Sequence, residues 1–413
     1  REAVRRLADI ADAFVLHDRD ILIRADDSVA RVDPATEVPV LLRRARGYVP
    51  RPVFLDRDGP CVLGAGPELK NTLCLLKGDQ AFVSQHIGDM EGLATLAFWQ
   101  EIAAHLETIL KVAPQLLVHD LHPGYMTTQY AKEQTGLPTA AVQHHVAHGH
   151  AVLAENRFAG RAAILALDGT GLGDDNTLWG GECLLVDTES ARYERLGHLT
   201  TLPLPGGEAA IREPWRIGQG ALWELGERAE GRTPWPWQKE FGPASKVVAQ
   251  MLEKGLNCPA TTSCGRLFDA AAALCGLGLR ITYEAQAAIL LEQAQDMAEA
   301  GAYPCPVRED AATGRHLLDA RELLAALWAD LGADFGDGRA VGRAARRFHL
   351  GLARGLADLA AACAARAGVT HVGLSGGCLL NLTLAADLPR ELAARGLTPL
   401  VHRDLPPGDG CVS

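Results

Sequence analysis

Two histidines four residues apart are the clearest candidates for chemistry in this sequence. His144 and His148 lie in the stretch QHHVAHGH, and this spacing places both imidazoles on one face of a helix. Two imidazole nitrogens presented together can bind a single divalent cation such as iron or zinc. The alternative is that the histidines only form the polar face of a helix.

Two aspartates are candidates for completing such a site. Asp168 follows the apolar run 162–167, which reads as a strand, and Asp409 lies in a Pro-Pro-Gly-Asp-Gly turn. Each could instead be a turn residue that accepts hydrogen bonds from its own backbone. Two histidines with one or two carboxylates suit a catalytic divalent cation, and such a cation polarises a carbonyl group. Asp168 and Asp409 are therefore candidate metal ligands and candidate catalytic residues, together with the two histidines.

Glycine turns follow two of the predicted strands and are candidates for nucleotide binding. The first turn contains Gly169, Thr170 and Gly171, and the second contains Gly376 and Gly377. Exposed N–H groups in such turns suit phosphate, and ligands of open α/β sheets bind beyond the carboxyl ends of the strands. The sequence contains no GxxxxGK[ST] motif, which argues against a P-loop NTPase.

Two further segments have both a simple and a functional interpretation. Gly206 and Gly207 form a turn near Arg212, which could hold a phosphate or belong to a surface ion pair. The cluster Arg43, Arg44 and Arg46 could contact an anionic nucleotide or form a solvated linker.

Composition restricts the class of protein. The chain has 413 residues, a net charge of −11 and ten cysteines without a CxxC pair. This length predicts two or three domains, and the negative charge disfavours nucleic acid and anionic membranes as partners. No run approaches the ~20 apolar residues of a membrane span, and no signal peptide opens the chain, so we expect a cytoplasmic protein. Its ends suggest a piece of a longer polypeptide.

The elements alternate between strands and helices, which predicts an α/β fold. The first 50 residues suggest a short helix (2–14) and an extended run (21–32), and hairpins are expected over 61–84. Segments 206–262 and 301–320 read as irregular. The other expected elements are helices over 91–111, 124–134, 143–150, 263–300 (two helices) and 341–367, and strands over 115–119, 139–142, 162–167, 179–186 and 369–374.

Together these residues resemble the HypF carbamoyltransferases, which are maturation factors of nickel–iron hydrogenases. Residues 9–31 and the Arg43–Tyr48 run resemble the end of the YrdC-like adenylating domain of that family. The remaining similarity lies in Gly66–Thr72, Ser84–Asp89, His119–Pro123, Gln143–His148, Pro203–Trp215, Thr262–Asp269, Gly376-Gly377 with Asn381, and Pro407–Gly410. The resemblance implies that residues 1–52 close the YrdC-like domain and that 53–413 form a two-lobed actin-like carbamoyl-transfer domain.

The resemblance also implies a reaction, a partner and a ligand set. The family hydrolyses carbamoyl phosphate, activates the carbamate with ATP and Mg²⁺ as carbamoyl-adenylate, and transfers the carbamoyl group to the carboxyl-terminal cysteine of HypE, releasing AMP. The product is the precursor of the cyanide ligands of the hydrogenase iron. A metal would be held by His144, His148 and Asp409, with Asp168 beside it, and the glycine turns and Asn381 would face the nucleotide.

Some features depart from the family pattern. Ala285 stands where glycine is usual, and Cys378 and Leu380 replace commoner residues. The acylphosphatase-like and zinc-binding modules and the start of the adenylating domain are absent from this sequence, so we expect only the last step from it.

Three other functions remain as alternatives. An antibiotic O-carbamoyltransferase has the two domain types in the opposite order. A tRNA threonylcarbamoyl transferase is disfavoured by the remnant of the adenylating domain at the start of the chain and by the negative net charge. A non-catalytic nucleotide-binding scaffold for maturation would bind ATP without carbamoyl transfer.

Overall fold

The structure is a computed structural model that describes residues 2–32, 39–133, 136–227, 235–332 and 334–413. Its helices are α1 (Glu2–Leu7), α2 (Leu93–Leu110), α3 (Met126–Glu133), α4 (His144–Glu155), α5 (Glu208–Arg212), α6 (Trp215–Glu224), α7 (Gln238–Lys254), α8 (Cys264–Leu274), α9 (Gln286–Gln293), α10 (Ala320–Leu331), α11 (Gly338–Ala367) and α12 (Leu382–Ala394). Its strands are β1 (Val29–Val32), β2 (Pro39–Arg43), β3 (Val53–Gly59), β4 (Val62–Gly64), β5 (Cys74–Val83), β6 (Leu116–Asp120), β7 (Thr139–Val142), β8 (Arg161–Leu172), β9 (Leu178–Asp187), β10 (Tyr193–Leu199), β11 (Leu202–Pro203), β12 (Ala260–Thr261), β13 (Val307–Glu309), β14 (His316–Leu318), β15 (His371–Ser375) and β16 (Thr398–Leu400).

A five-stranded sheet forms the first part of the fold. Its strand order is β3-β5-β4-β6-β7, with antiparallel pairs around β5 and parallel pairs from β4 through β7. Helix α2 covers it with Trp99, Ile102 and Leu106, which are buried against sheet residues such as Leu75 and Leu117. The helix forms because its apolar residues recur at helical spacing and give it one apolar face.

A nine-stranded sheet forms the second part. Its main strand order is β13-β14-β10-β9-β8-β15-β16. In addition, β12 pairs with β9, and β11 pairs with β12. Strand β8 contains a run of six completely buried residues, 162–167, as expected for a strand covered on both faces. Strand β15 pairs parallel with β8, with Ser375 opposite Ala166, so β15 ends beside Asp168, whereas β8 continues to Leu172. Asp168 and the end of β15 position the candidate site.

Helix α4 lies between the two sheets. It packs on β8, β9 and β15 of the larger sheet and also contacts β3 of the smaller one. Gly149 permits the close approach, because a Cβ atom there would lie 3.1 Å from Ile164 and 3.2 Å from Val186. The histidine-bearing helix is therefore held on both sides.

Most predicted elements are confirmed, but five segments differ. The strand predicted over 162–167 continues to Leu172 and includes the predicted turn 169–171. The irregular interpretation of 206–262 is wrong, because the segment contains three helices, although 228–234 lie outside the described residues. Helix α7 buries Phe241, Val248 and Leu252. Its helical spacing of apolar residues is hard to recognise in the sequence because Pro243 lies inside the helix, beside a kink at Phe241. The segment 301–320 contains β13 and β14, α1 ends at Leu7 rather than at residue 14, and the run 21–32 is a strand only from Val29. The end of the predicted helix 124–134 falls on residue 134, outside the described residues.

The strands β1 and β2 form a separate two-stranded sheet ahead of the rest. Arg31 on β1 joins this hairpin to the larger part of the fold through Glu292 of α9, at 2.9 Å. The domain boundary after residue 52 stays a prediction. Within the described part of the chain, no helix combines the length and the apolar character that crossing a bilayer requires.

Candidate metal centre

Four side chains from three segments of the chain meet where β15 ends beside β8. His144 and His148 come from α4, Asp168 comes from β8, and Asp409 begins a short 3₁₀ turn near the end of the chain. One possible ligand atom from each residue lies within 4.8 Å of every other. We call these four residues the candidate centre. The structure therefore brings together all four residues that were expected from the sequence to bind metal.

The start of α4 is built to present the first histidine. Gln143 is the N-cap residue, and its side-chain oxygen accepts a hydrogen bond from the N–H of Val146 at 2.9 Å. Such a cap satisfies one of the N–H groups that a helix leaves unpaired in its first turn. His144 is consequently the first helical residue, and His148 lies one turn further on the same face.

The distances in the candidate centre suit a shared cation. His144 Nε2 lies 3.3 Å from Asp168 Oδ2 and 3.8 Å from Asp409 Oδ1. His148 Nε2 lies 4.0 Å from Asp168 Oδ2 and 3.8 Å from Asp409 Oδ1. Nitrogen and oxygen atoms about 2 Å from one tetrahedral ion lie at comparable distances from each other.

One atom of the candidate centre is left without a partner. His148 Nε2 is buried and makes no hydrogen bond within the described residues. A buried nitrogen without a hydrogen bond is unfavourable. We therefore expect His148 Nε2 to bind a group that lies between the two carboxylates. Two imidazoles and two carboxylates form a donor set that suits iron or zinc. The residues present therefore fit a bound divalent cation.

Asp120 at the end of β6 orients His144. Its Oδ2 atom lies 2.9 Å from His144 Nδ1, which places the proton on Nδ1 and directs Nε2 into the candidate centre. Burial acts to lower the pKa of His144, but the hydrogen bonds with Asp120 and Asp168 hold this pKa well above its ordinary value. Burial acts to raise the pKa of Asp120, and the same hydrogen bond from His144 holds it below its usual range. Without a bound cation, His144 is thus a charged partner of the carboxylates.

Only the second of the two predicted glycine turns is a turn in the structure. Gly169–Gly171 belong to β8, which continues to Leu172 past an irregularity in its pairing with β9. Gly377 donates its N–H to Asp168 Oδ1 at 3.0 Å, which leaves Oδ2 facing the histidines. Gly376 has φ of 113°, and a Cβ atom there would lie 2.1 Å from the carbonyl oxygen of Leu167, so close approach to the backbone requires glycine.

Asn381 follows the second turn, and its side chain serves the fold. Its Oδ1 accepts from the N–H of Leu384 and caps α12, while Nδ2 donates to His349 Nε2 at 2.9 Å. A nucleotide contact by Asn381, Gly169 or Thr170 stays a prediction.

The structure does not bring the other predicted residues into the candidate centre. Gly206 and Gly207 form a turn ahead of α5, and Gly206 N–H donates to Asn257. Arg43 is exposed, and Arg46 pairs with the exposed Asp27 at 3.2 Å. Contacts of these residues with a nucleotide stay predictions.

The buried side chain of Arg44 stabilises the fold through hydrogen bonds to backbone carbonyl groups. Its guanidinium is buried and donates to the carbonyl oxygens of Val83, Tyr48 and Arg51 at 3.0, 3.3 and 2.6 Å. Burial lowers the pKa of Arg44. Because these hydrogen bonds occupy the side chain, Arg44 joins 44–51 to β5 rather than offering a free cation to a nucleotide.

Sequence reasoning did not select two residues near the candidate centre. Asp120 and Lys70 were included only as members of the motifs His119–Pro123 and Gly66–Thr72. Lys70 Nζ pairs with Glu284 at 2.5 Å and so links the β4–β5 connection to the segment before α9. Burial acts to lower the pKa of Lys70, but Glu284 and Asp409 raise it. Nothing in the sequence spacing of Lys70 and Glu284 indicated this contact.

Two protein-family models together match almost all of residues 57–413. Residues 57–155 match the HypF Kae1-like domain, and residues 164–413 match the carbamoyltransferase Kae1-like domain, second subdomain. Among curated proteins, the chain is 46% identical to carbamoyltransferase HypF2 of Cupriavidus necator and 44% identical to carbamoyltransferase HypF of Rhizobium leguminosarum bv. viciae. Each alignment covers 100% of this chain, but only 53% and 52% of those relatives.

Solved structures show the same fold. The chain superposes on a crystal structure of full-length HypF in the phosphate- and nucleotide-bound form with a TM-score of 0.90 at 32% identity, and on the HypF of T. kodakarensis with 0.88 at 33%. The matches cover 100% of this chain and 63% and 53% of those chains. The predicted α/β class is thus confirmed. The chain spans about half the length of the curated relatives it matches.

Proposed function

Because the chain belongs to the HypF carbamoyltransferase family, we propose that the candidate centre is the site of carbamoyl transfer in the maturation of nickel–iron hydrogenase. The donor would be carbamoyl-adenylate, made from carbamoyl phosphate and Mg²⁺–ATP by the longer protein. The acceptor would be the carboxyl-terminal cysteine of HypE. This chain would carry out the last step of that sequence.

The observation that carries the proposal is the convergence of His144, His148, Asp168 and Asp409 beside a glycine turn. A divalent cation held by these residues would polarise the carbamoyl carbonyl and stabilise the negative charge that develops on its oxygen. Iron and zinc both suit the donor set.

The transfer step can be written so that its atoms balance. The cysteine thiolate attacks the carbamoyl carbon and forms a C–S bond, and the bond from that carbon to the phosphate oxygen then breaks. AMP leaves with the electron pair, and the carbamoyl group remains on the acceptor as a thiocarbamate. A thiolate suits this role because it is nucleophilic near neutral pH.

The chain's own residues would hold the adenylate and keep water away. The backbone of Gly169–Gly171 in β8 would face the phosphate, and the turn at Gly376-Gly377 would lie beside it. The N–H groups of Gly376 and Gly377 donate to the carbonyl oxygen of Pro407 and to Asp168 Oδ1, so this turn would contribute its shape rather than free donors. Lys70 would add a positive charge beside the carboxylates if it released Glu284. The side chains of His144, His148 and Asp168 are at most 8% exposed. Such enclosure matters because a mixed anhydride hydrolyses in water.

Substituting one ligand tests the metal assignment. The His148→Ala variant should contain less bound iron or zinc than the unchanged chain, because it removes the nitrogen that lacks a protein partner. Elemental analysis after purification measures this content. His105→Ala, a half-buried histidine on α2, is the matched control and should retain the metal. Unchanged metal content in His148→Ala would refute the assignment.

A second experiment tests the reaction. A peptide with the HypE carboxyl terminus is incubated with this chain and synthetic carbamoyl-adenylate, and its mass is then measured. We expect a gain of one carbamoyl group on the cysteine with the unchanged chain and with His105→Ala, and little or none with His148→Ala. ATP binding without any mass gain would favour a scaffold role, and carbamoylation of a small-molecule hydroxyl instead would favour an O-carbamoyltransferase.

A further inference from the structure

A row of three hydrogen bonds continues from His148 away from the candidate centre. His148 Nδ1 lies 2.9 Å from Ser375 Oγ, which lies 2.9 Å from His402 Nε2. His402 Nδ1 in turn lies 2.6 Å from Glu155 Oε2. We call Ser375, His402 and Glu155 the relay. None of its members belongs to the ligand set described above.

The relay is buried along its whole length. Ser375 is fully buried, and the side chains of His402 and Glu155 are only 2% and 6% exposed. Polar groups removed from water in this way are unfavourable unless they hydrogen-bond to each other. Each contact of the relay therefore needs one hydrogen-bond donor and one acceptor, and this requirement restricts which atom can donate.

Glu155 is the ionised end of the relay. Its Oε1 accepts hydrogen bonds from the backbone N–H groups of Arg403, Asp404 and Leu405 at 2.8, 2.5 and 3.3 Å. Burial acts to raise the pKa of Glu155, but the hydrogen bonds from His402 and from these N–H groups hold it below its ordinary value. A carboxylate has only acceptor oxygens. His402 must therefore donate its Nδ1 proton to Glu155.

The direction of the other contacts follows when His402 is neutral. Its Nδ1 then donates to Glu155, and its Nε2 has a lone pair that accepts the hydroxyl proton of Ser375. The oxygen of Ser375 is then free to accept the Nδ1 proton of His148. His148 is left with a lone pair on Nε2, the buried atom that has no partner and faces Asp168 and Asp409.

We infer that Glu155, His402 and Ser375 are positioning residues that hold His148 in the tautomer and ring orientation needed to bind a cation through Nε2. This inference rests on the proposed metal site. Outer partners of this kind fix the direction of a ligating histidine, and their loss typically weakens metal affinity 10- to 100-fold. His144 is oriented by one carboxylate, Asp120, whereas His148 depends on a neutral serine linked to a more distant carboxylate.

The relay also connects the segments that supply the ligands. Glu155 lies seven residues after His148, two turns along the same face of α4. Ser375 ends β15, and His402 belongs to the connection that leads from β16 to Asp409. The relay thus ties α4 to the loop that carries Asp409.

Two neighbouring groups compete with the relay, and both are weaker partners. The carbonyl oxygen of Pro407 lies 3.3 Å from Ser375 Oγ, farther than His402 Nε2. The sulfur of Cys411 lies 3.6 Å from His148 Nδ1, farther than Ser375 Oγ at 2.9 Å. A thiol is a weak acceptor and replaces the serine oxygen poorly.

Three variants test the relay through metal affinity. Ser375→Ala removes the acceptor of His148, and His402→Phe removes the link to Glu155, so each should weaken Zn²⁺ binding 10- to 100-fold. His402→Gln can still accept from Ser375 and donate to Glu155, and it should restore most of the affinity. Ser245→Ala is the matched control, because it removes a buried hydroxyl that donates to Gln219 on α6, away from the relay, and should leave the affinity unchanged.

The measurement is competition for Zn²⁺ between the full chain and a chromophoric chelator. The visible absorption of the Co²⁺-loaded chain adds a signature of ligand geometry, which Ser375→Ala should alter and Ser245→Ala should not. Circular dichroism and the unfolding midpoint of each metal-free variant show whether it has folded. If His402→Phe fails to fold, Ser375→Ala and His402→Gln still decide the question.

The outcomes separate this inference from the proposed function. Unchanged Zn²⁺ affinity in Ser375→Ala, together with loss of binding in His148→Ala, would overturn the relay and leave the metal site intact. Unchanged binding in His148→Ala itself would refute the metal site. An equal loss of affinity in His402→Gln and His402→Phe would also overturn the relay, because it would show that hydrogen-bond polarity at residue 402 is irrelevant.

Discussion

Three histidines within one helical turn and a half have different environments, and each environment follows from particular contacts. His144 pairs with Asp120, and His148 contacts Ser375. His145 points away from the candidate centre toward Trp179, and burial holds its pKa well below the ordinary value. Residue type alone therefore does not show which histidines of the stretch 143–150 face the candidate centre, because neighbouring helical residues face different sides.

A fourth buried histidine, His349 on α11, makes acid sensitivity testable. It donates through Nδ1 to the carbonyl of Ala345 at 2.7 Å and accepts from Asn381 through Nε2, so it is held neutral. Burial is the largest influence and lowers its pKa from 6.5 to about 4. Between these two values the unfolded chain binds more protons than the folded one, so the stability contributed by neutral His349 is lost as the pH falls.

We expect this histidine to account for about 2 kcal/mol of the stability lost between pH 7 and pH 5. In His349→Gln, the urea-unfolding midpoint should depend less on pH over that range. His105→Gln, on the half-buried face of α2, should keep the pH dependence of the unchanged chain. Parallel pH profiles for His349→Gln and the unchanged chain would contradict the prediction.

At the scale of elements, the parallel pair β8 and β15 positions the first carboxylate. The pairing of Ser375 with Ala166 brings the turn after β15 beside the carboxyl end of the buried run in β8. The N–H of Gly377 can then hold Asp168 in one orientation. The turn itself depends on Gly376, which has positive φ and lies against the backbone of Leu167.

Replacing Gly376 by alanine should therefore destabilise the chain, by on the order of 3 kcal/mol. The added methyl group would collide with backbone atoms that cannot move without disturbing β8, and metal affinity should fall as Asp168 shifts. The unfolding midpoint and the Zn²⁺ affinity measure both effects.

Gly396→Ala is the control for this prediction. Gly396 also has positive φ, 75°, but no atom lies within 4 Å of the Cβ position. Its substitution should cost only the backbone strain, about 1 kcal/mol. Equal losses at both glycines would show that the close approach at Gly376 is not what requires glycine.

At the scale of the whole molecule, the two sheets meet around α4 and the end of the chain. Val53, Val83, Leu405 and Cys411 form a small buried cluster that joins the smaller sheet to the last segment. Exposed ion pairs such as Arg51–Asp404, at 2.7 Å, add little to this contact because water screens them. Burial of apolar surface therefore holds the last segment, and with it Asp409, in place.

Metal binding should stabilise the whole chain, because the ligands come from segments more than 200 residues apart. A cation that binds only the folded state contributes about 2.7 kcal/mol when its concentration is 100 times the dissociation constant. Adding Zn²⁺ should raise the unfolding temperature and slow hydrogen exchange of the backbone over 405–413.

His148→Ala is the comparison for that experiment, with His105→Ala as its control. The temperature shift should disappear in the first variant and persist in the second. A shift of the same size in His148→Ala would mean that Zn²⁺ stabilises the chain from somewhere other than the candidate centre.

Local patterns in the sequence were sufficient for much of the fold. Side-chain periodicity over a few neighbouring residues determines which face of an element is buried. This periodicity predicted the buried strand 162–167, the helix from 341 and the common face of His144 and His148. Asp168 was identifiable because a carboxylate at the end of a buried strand lies where α/β folds bind ligands. Asp409 needed the family resemblance to raise it above an ordinary turn aspartate.

Only the tertiary structure revealed the partners of these residues. Nothing in the spacing of Glu155, Ser375 and His402 indicates a hydrogen-bonded row, and Arg44 resembled a nucleotide contact until its carbonyl partners were seen. Helix α7 was missed because packing overrides the proline and kink that obscure its period. The physical reason is the same in each case: hydrogen bonds and burial act through space over a few ångströms, whereas sequence patterns report only neighbours along the chain.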